Sequence, residues 1–477
     1  MANVALERER KLDVPEGFLL RELPGERLRT VTLVSAYFDT PDRRLAAAGI
    51  TLRRRTQARR ARWQLKLPDE EGRLEVEFAG RDEAPPAEVL DLLLAHLRGA
   101  ELEPVATLRT RRQGRRLYRG EVPVADVFHD LVTVEGEADG RLEEVEIELL
   151  ADGRPNDMRR IGKILARAGA SPGDERPKVF RVLGIEAAPA IAADGPAPVR
   201  LGAMCSAQVR AMLAHDPGVR LGIDPEALHQ FRVATRRLRA LLRAARPALD
   251  RAWADGLRSE LGWLAGETSA SRDLDVLLDH LRPRAEALGG SDSEAAAELV
   301  DGLAQEQAAS RERVLDALRS GRYLALLDRL CAEVGSPRLV EGGALDLDEL
   351  AAAEYRRLRK AMRRIGDDES DEAVHRLRIK GKRARYAAEL AARPGDRRGQ
   401  KFIGAMKGFQ DVLGEHQDAV VAADRLRALA AAAPAPVVMA AGRLIEGEAE
   451  RRADARRALP KAWKAVARGA GRWPALG

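Results

Sequence analysis

Six short stretches in the first third of the chain carry polar or charged side chains at every second position. This period of two constrains the fold more than any other feature of the sequence. Side chains of a strand alternate between its two faces, so positions i, i+2 and i+4 share one. Glu7, Glu9 and Lys11 therefore share a face, as do Arg53 with Arg55 and Gln64 with Lys66. The same holds for Glu75 with Glu77, Arg109 with Arg111, and Glu144 with Glu146 and Glu148. On the two acidic strands the other face is apolar: Leu74, Val76 and Phe78 on one, Val145, Ile147 and Leu149 on the other. Apolar faces pack against a covering layer. With helices on the apolar side, the charged side is expected to line an enclosed polar interior.

The rest of residues 1–184 fits this reading. Strand-like segments run over 4–12, 31–37, 50–55, 63–67, 74–78, 106–113, 115–122, 132–138 and 143–149. Turn signals such as Glu71-Gly72 and Asp139-Gly140 separate several of them. Many sequential strands predict an antiparallel sheet or barrel, with helices at 86–97 and 156–168. Residues 185–200 are rich in Ala, Pro and Gly with almost no charge, which marks a linker. From Leu201 onward the pattern changes to long helices rich in Ala, Leu, Arg and Glu, with a second break near 335–348. A chain of 477 residues exceeds one ordinary core. The expected division is a β domain at 1–184, the linker at 185–200 and a helical domain at 201–477, together a multidomain α+β protein.

The helical part contains an internal repeat. His229-Gln-Phe-Arg-Val-Ala-Thr-Arg-Arg-Leu-Arg239 returns 146 residues later as His375-Arg-Leu-Arg-Ile-Lys-Gly-Lys-Arg-Ala-Arg385. This implies two related helical bundles, at about 201–334 and 349–465. His229, Arg232, Arg236, Arg239 and Arg243 recur at helical spacing and form one face, beside an apolar stripe of Phe231, Ala234, Leu238, Leu241 and Ala245. The second copy presents His375, Arg378, Lys382 and Arg385, with Lys407 available to extend it. Like charges stacked along a helix repel, so two such stripes call for an anionic ligand or acidic partner helices.

Composition narrows the classes. The net charge is only +6, from 81 basic and 75 acidic residues, so clustering matters more than the total. No run of 18 apolar residues occurs, and residues 1–8 lack an apolar signal core; neither membrane insertion nor export is expected. Cys205 and Cys331 have no metal-ligand spacing and fit buried thiols in a reducing cytoplasm. Aromatic residues total 4%, leaving few stacking platforms for nucleic acid.

An interior with carboxylates on some strands and cations on others suits a metal-bound polyanion. Carboxylates hold hard cations such as Mg²⁺ or Mn²⁺ through oxygen, and Arg and Lys neutralise phosphate oxygens. Glu7-x-Glu9-x-Lys11, Tyr37-Phe38-Asp39-Thr40, Leu52-Arg53-Arg54-Arg55 and Glu144-x-Glu146-x-Glu148 resemble the CYTH family of triphosphate tunnel metalloenzymes. That resemblance implies an eight-stranded antiparallel tunnel binding triphosphate with Mg²⁺ or Mn²⁺. It implies metal-side carboxylates at Glu7, Glu9, Glu146 and Glu148, with Glu75 and Glu77 as further metal- or water-positioning groups. Phosphate contacts would come from Lys11, Arg53, Arg55, Lys66, Arg109, Arg111 and Lys178, and catalysis would centre on Glu7, Glu9 and Lys11. Tyr37 and Asp39 are expected to support structure. Lys178 sits in Arg176-Pro177-Lys178, where the family has Ser before the Lys. The helical half resembles the CHAD domain, a conserved-histidine helical domain. This resemblance implies two four-helix bundles around a basic groove for polyphosphate.

The leading expectation is a cytoplasmic inorganic triphosphatase whose helical domain recruits polyphosphate, with polyphosphate granules as a place of association. The alternatives are a non-catalytic polyphosphate-binding or targeting protein, and a tunnel acting as adenylyl cyclase or thiamine triphosphatase.

Overall fold

The computed structural model describes residues 3–20, 23–58, 60–80, 82–136, 141–186, 195–341, 345–365 and 370–476. The chain forms two compact units, residues 1–190 and 191–477. Half of the expected linker, residues 187–194, and the Asp139-Gly140 turn lie outside the described residues.

Among the described residues the first unit is one antiparallel sheet of eleven strands. They are β1 (Asn3–Glu7), β2 (Glu9–Asp13), β3 (Glu26–Arg27), β4 (Val31–Asp39), β5 (Thr51–Gln57), β6 (Arg60–Asp69), β7 (Gly72–Ala79), β8 (Glu103–Arg119), β9 (Val122–Val134), β10 (Arg141–Leu149) and β11 (Ser171–Pro172). Four helices accompany them: α1 (Arg44–Ala47), α2 (Ala87–Leu97), α3 (Pro155–Arg167) and α4 (Lys178–Val182). The strand order is β1-β7-β6-β5-β4-β8-β9-β10-β2-β11, with β3 on β8.

Only Arg8 separates β1 from β2, and its carbonyl accepts a hydrogen bond from Leu149 N at 2.9 Å. One stretch of chain thus pairs with β7 through its first half and with β10 through its second. That switch closes the sheet into a tunnel. The count is eleven rather than eight because this stretch is split in two and because β3 and β11 are two-residue additions.

The segments expected at 106–113 and 115–122 are one strand, β8. Gly114 is not a turn. A Cβ there would stand 2.7 Å from the Phe128 ring, so glycine permits a close approach between β8 and β9. The chain turns instead at Gly120, whose φ of 65° is left-handed.

Outside the tunnel, Val145 and Ile147 of β10 pack with Ala125 and Val127 of β9 against Ile161 and Leu165 of α3. These side chains are essentially fully buried. Each of the Val, Ile and Leu side chains stabilises the fold by about 1.5–3 kcal/mol relative to exposure. α3 starts with Pro155 in its first turn, and the Asp157 carboxylate accepts from Arg154 N at 3.1 Å. One end of the tunnel is apolar: Tyr37, Leu108, Val132 and Val134 close around Val179 and Phe180 of α4. The α4 helix therefore stoppers that end.

The second unit comprises α5 (Ala197–Leu221), α6 (Pro225–Ala244), α7 (Arg251–Ala287), α8 (Gly290–Arg319), α9 (Gly321–Glu333), α10 (Leu347–Arg364), α11 (Asp371–Ala391), α12 (Arg397–Ala430) and α13 (Ala435–Ala470). The repeat copies lie on α6 and α11. Asp224 caps α6 by accepting from Glu226 N at 2.8 Å, and Ser370 caps α11 by accepting from Ala373 N at 3.2 Å. Phe231, Ala234, Leu238, Leu241 and Ala245 are all buried, as the apolar stripe predicts. The two halves are joined twice. α6 packs against α11, and α7, α8, α12 and α13 share one apolar core that includes Leu281, Leu303, Leu426 and Leu444. Among the described residues no helix is long and apolar enough to cross a membrane. Neither cysteine forms a disulfide, and Cys331 is exposed where a buried thiol was expected.

Candidate functional site

The tunnel encloses a cavity of about 370 Å³. Its walls carry Glu7, Glu9 and Lys11, Arg53 and Arg55, Gln64 and Lys66, Glu75 and Glu77, Arg112, Glu146 and Glu148, with Lys178 entering from α4. Strand register sets which of them meet. Glu9 stands opposite Glu148 and Lys11 opposite Glu146 on the β2–β10 pair. Lys66 stands opposite Glu75 and Gln64 opposite Glu77 on the β6–β7 pair.

Two acidic groups result. Carboxylate oxygens of Glu7, Glu9 and Glu148 lie within 4.8 Å of one another, as do those of Asp130, Glu144 and Glu146. The second group is compensated internally. The Lys178 ammonium lies 2.5 Å from Asp130, 3.0 Å from Glu144 and 2.9 Å from Glu146. Arg112 adds contacts of 2.7 Å to Asp130, 2.5 Å to Glu146 and 3.1 Å to Glu148. Its guanidinium also lies 4.2 Å from the Phe128 ring centre. Burial works against Glu146 ionisation, but Lys178 and Arg112 outweigh it and hold the carboxyl well below its ordinary value. The first group is looser. Lys66 donates to Glu7, and Lys11 lies 3.3 Å from Glu9. Burial, followed by repulsion from Glu146 and Glu7, pushes Glu148 up to about 7 despite Arg112.

Across the cavity, Arg53 donates to Gln64 at 2.8 Å and to the Tyr37 hydroxyl at 3.1 Å. Burial would raise the Tyr37 phenol, yet Arg53 and Arg55 bring it below its ordinary value. Arg55 is different. Its buried Nε has no hydrogen-bond partner. Burial, then repulsion from Arg53 and Arg112, pushes its guanidinium down to about 10. A buried cation among cations is costly unless an anion joins it.

In the helical unit the two basic stripes meet where α6 packs on α11. Arg236 donates to the Tyr386 hydroxyl at 3.1 Å, and Arg237 pairs with Glu389 at 3.0 Å. Arg236, Arg239 and Arg243 are exposed, while His229, Arg232, Arg378 and Lys382 are half-buried. Arg232 is anchored to α7 through the Ala265 carbonyl and the Thr268 hydroxyl, both at 3.1 Å. Arg385 is anchored to Gln410 at 2.9 Å and to Glu389 at 2.9 Å. The buried Nε of Arg378 has no hydrogen-bond partner. Burial, then Arg378 and Arg236, pushes Lys382 down to about 7.

The sequence matches the CYTH domain family over residues 5–169 and the CHAD domain family over residues 203–427. It is 33% identical over 485 residues to the uncharacterised protein MT2285 of Mycobacterium tuberculosis (strain CDC 1551 / Oshkosh), covering 93% of each chain. The chain belongs to the CYTH–CHAD family. Among solved structures, PptA from Streptomyces chartreusis is 25% identical, with a TM-score of 0.48 over 57% of this chain and all of that one. The CHAD domain from the plant Ricinus communis is 29% identical, with a TM-score of 0.47 over 57% of this chain and 93% of that one.

CYTH domains are metal-dependent, and Glu7, Glu9 and Glu148 fit a hard divalent cation: three oxygen donors converge at the cavity wall, with Lys66 on Glu7 and Lys11 on Glu9 balancing part of their charge. Other expected residues of the CYTH domain fall elsewhere. Arg109 and Arg111 are exposed on the outer face, and Arg112 is the β8 cation of the tunnel. The inward residues of β8 are Leu108, Thr110 and Arg112, because Leu108 belongs to the apolar end stoppered by α4. Glu146 groups with Asp130 and Glu144 rather than with Glu7 and Glu9, and its neighbours are cations. Glu75 and Glu77 line the cavity but belong to neither acidic group. Glu75 lies 3.9 Å from both Arg53 and Lys66, and Glu77 lies 2.9 Å from Arg62. Asp39 is structural, accepting from the backbone N–H of Thr40, Leu45 and Ala46 around α1. Tyr37 also lines the cavity.

In the CHAD domain, His375 is exposed and pairs with Gln417 at 2.6 Å. Lys407 is exposed, one helical turn before Gln410. Arg112, Asp130 and the Lys178 carboxylate cage were not anticipated from sequence. Asp126, Phe128 and Asp130 share the inner face of β9, and that alternation was the available signal.

Proposed function

We propose that the CYTH domain hydrolyses inorganic triphosphate with Mg²⁺ or Mn²⁺, and that the CHAD domain binds inorganic polyphosphate through the α6 and α11 stripes. One observation carries the first part: a three-carboxylate cluster and a half-buried Arg55 whose Nε lacks a hydrogen-bond partner share one cavity. A triphosphate bound to a divalent cation supplies the cation for one and the anion for the other.

Glu7, Glu9 and Glu148 would hold the metal, which when bound stabilises negative charge on phosphate oxygens. Arg53 and Arg55 are placed to bind phosphate oxygens, with Lys11 and Lys66 released to them from Glu9 and Glu7. Hydrolysis breaks one phosphoanhydride P–O bond while water oxygen bonds to the departing phosphorus, yielding phosphate and diphosphate. Positioning and charge stabilisation are the main demands of this chemistry. On this reading the ligand pool is cytoplasmic phosphate chains.

The test is phosphate release from tripolyphosphate with each metal, with ATP and thiamine triphosphate assayed in parallel. Release from tripolyphosphate that Glu9→Ala lowers at least about a hundredfold supports the proposal. No release with either metal from neutral to alkaline pH favours the non-catalytic binder, and faster turnover of ATP or thiamine triphosphate favours those alternatives.

A further inference from the structure

The second basic feature of the CHAD domain lies away from the repeat motifs, where α12 begins and α13 ends. A cleft of about 560 Å³ is lined by Arg398 and Lys401 of α12, Arg468 of α13 and Arg472 just beyond it, with only Ala465, Gly469 and Gly471 between them. All four cations are exposed, and among the described residues none has a carboxylate ion pair. Elsewhere on these helices, exposed arginines commonly do: Arg427 with Asp424, Arg443 with Asp292 and Arg457 with Asp454.

The cleft is a built feature. A Cβ at Gly469 would stand 3.3 Å from the Phe402 backbone, and one at Gly399 would stand 3.1 Å from the Trp473 ring. These glycines let the two helix ends close on each other. Trp473 is buried, lies 5.5 Å from Phe402 between ring centres and donates to Asp396 at 2.8 Å. Asp396, which caps α12, is committed to Trp473 and to the N–H groups of Arg398 and Gly399.

Helix electrostatics separate the two halves of the cluster. Arg468 near the end of α13 is where a cation complements the helix dipole, so it has an ordinary structural reading. Arg397, Arg398 and Lys401 at the start of α12 have none. Cations there oppose the dipole, and the first turn holds no acidic residue. A bound anion at the start of α12 offsets that penalty.

We propose that the cleft between the start of α12 and the end of α13 is a second binding site for condensed phosphate, distinct from the α6 and α11 stripes. It rests on reading the CHAD domain as a binder of phosphate chains. Four cations in one concave site without acidic lining match an anion with charge at every unit, which a phosphate chain presents.

The test uses the full chain with a chelator present and calorimetric titration of short linear polyphosphate at low salt. Arg232→Glu with Arg378→Glu first disables the stripes. In that background, Arg398→Gln, Lys401→Gln, Arg468→Gln and Arg472→Gln together are expected to weaken the remaining binding by about tenfold or more. Should the four-residue variant misfold by circular dichroism, the exposed pair Arg398→Gln with Lys401→Gln is expected to weaken it about threefold. Remaining binding that is unchanged in a folded variant overturns the cleft and leaves the stripe reading standing. If disabling the stripes has no effect while the cleft variant weakens binding, the stripe reading fails and the cleft survives. Single-stranded DNA held as tightly by the cleft as polyphosphate overturns the assignment to condensed phosphate.

Discussion

Glu9 of β2 and Glu148 of β10 stand directly opposite one another, and Glu7 completes their cluster. Like charges across a strand pair destabilise a sheet. In the metal-free protein Glu148 rises from 4.5 to about 7, and protonation relieves part of that repulsion. Burial is the largest cause, with repulsion from Glu146 and Glu7 added to it.

This sets a pH dependence. A carboxyl with a raised folded-state pKa contributes stability that is fully present below its unfolded value, and that contribution is lost as pH rises through the folded value. Metal-free protein therefore loses stability between about pH 4.5 and 7. Glu148→Gln is expected to remove this loss, raising stability at pH 8 by about 1–3 kcal/mol while changing little at pH 4.5. Thermal unfolding with chelator at the two pH values checks it. Equal melting temperatures for wild type and variant at pH 8 would count against a strained acidic cluster.

Arg112 and its neighbours Arg109 and Arg111 make a contrast within one strand. Arg112 contacts Asp130, Glu146 and Glu148, so truncating it leaves buried carboxylates with less compensation. Arg112→Ala is expected to cost about 3–5 kcal/mol. Arg109→Gln and Arg111→Gln remove exposed charges and should stay within about 0.5 kcal/mol, with triphosphatase activity unchanged. Denaturant melts and phosphate release on the three variants separate the outcomes. Loss of activity without loss of stability in Arg111→Gln would contradict the register of β8.

The inward charges of β1, β2, β5, β6, β7 and β10 were legible from their period of two, with an apolar opposite face on β7 and β10. On β8 that reasoning slipped by one residue. The tunnel interior is apolar at the α4 end and charged in the middle, so the inward set Leu108, Thr110 and Arg112 mixes characters and no single polarity marks it. Asp130 was hidden for a related reason: it lies in the largely apolar strand β9, and its partner Lys178 is 48 residues away. The repeat on α6 and α11 could be read from its matching His and basic positions, while their packing against each other is a tertiary fact. The cleft at Arg398, Lys401, Arg468 and Arg472 was invisible because its halves lie on opposite ends of two antiparallel helices.

On the proposed reading of the stripes, Lys382 turns polyphosphate binding into a proton measurement. Its ammonium is pushed down to about 7 by burial, then by Arg378 and Arg236, with Arg385 adding to the repulsion and Asp418 opposing it. For a lysine with a depressed folded-state pKa, stability is present above the unfolded value of 10.5 and is lost as pH falls through 7. The ligand-free CHAD domain therefore gains stability from this group as pH rises from about 7 toward 10. A phosphate chain seated between the stripes reverses the local potential and restores the charged form. Binding at pH 8 is then expected to take up close to one proton per stripe site, and affinity should fall as pH rises above 8. Titration calorimetry in two buffers of different ionisation enthalpy reads the uptake directly. Lys382→Met should abolish the uptake at pH 8 while retaining weaker binding through Arg236, Arg378 and Arg385. Uptake that persists in Lys382→Met would place the titrating group elsewhere.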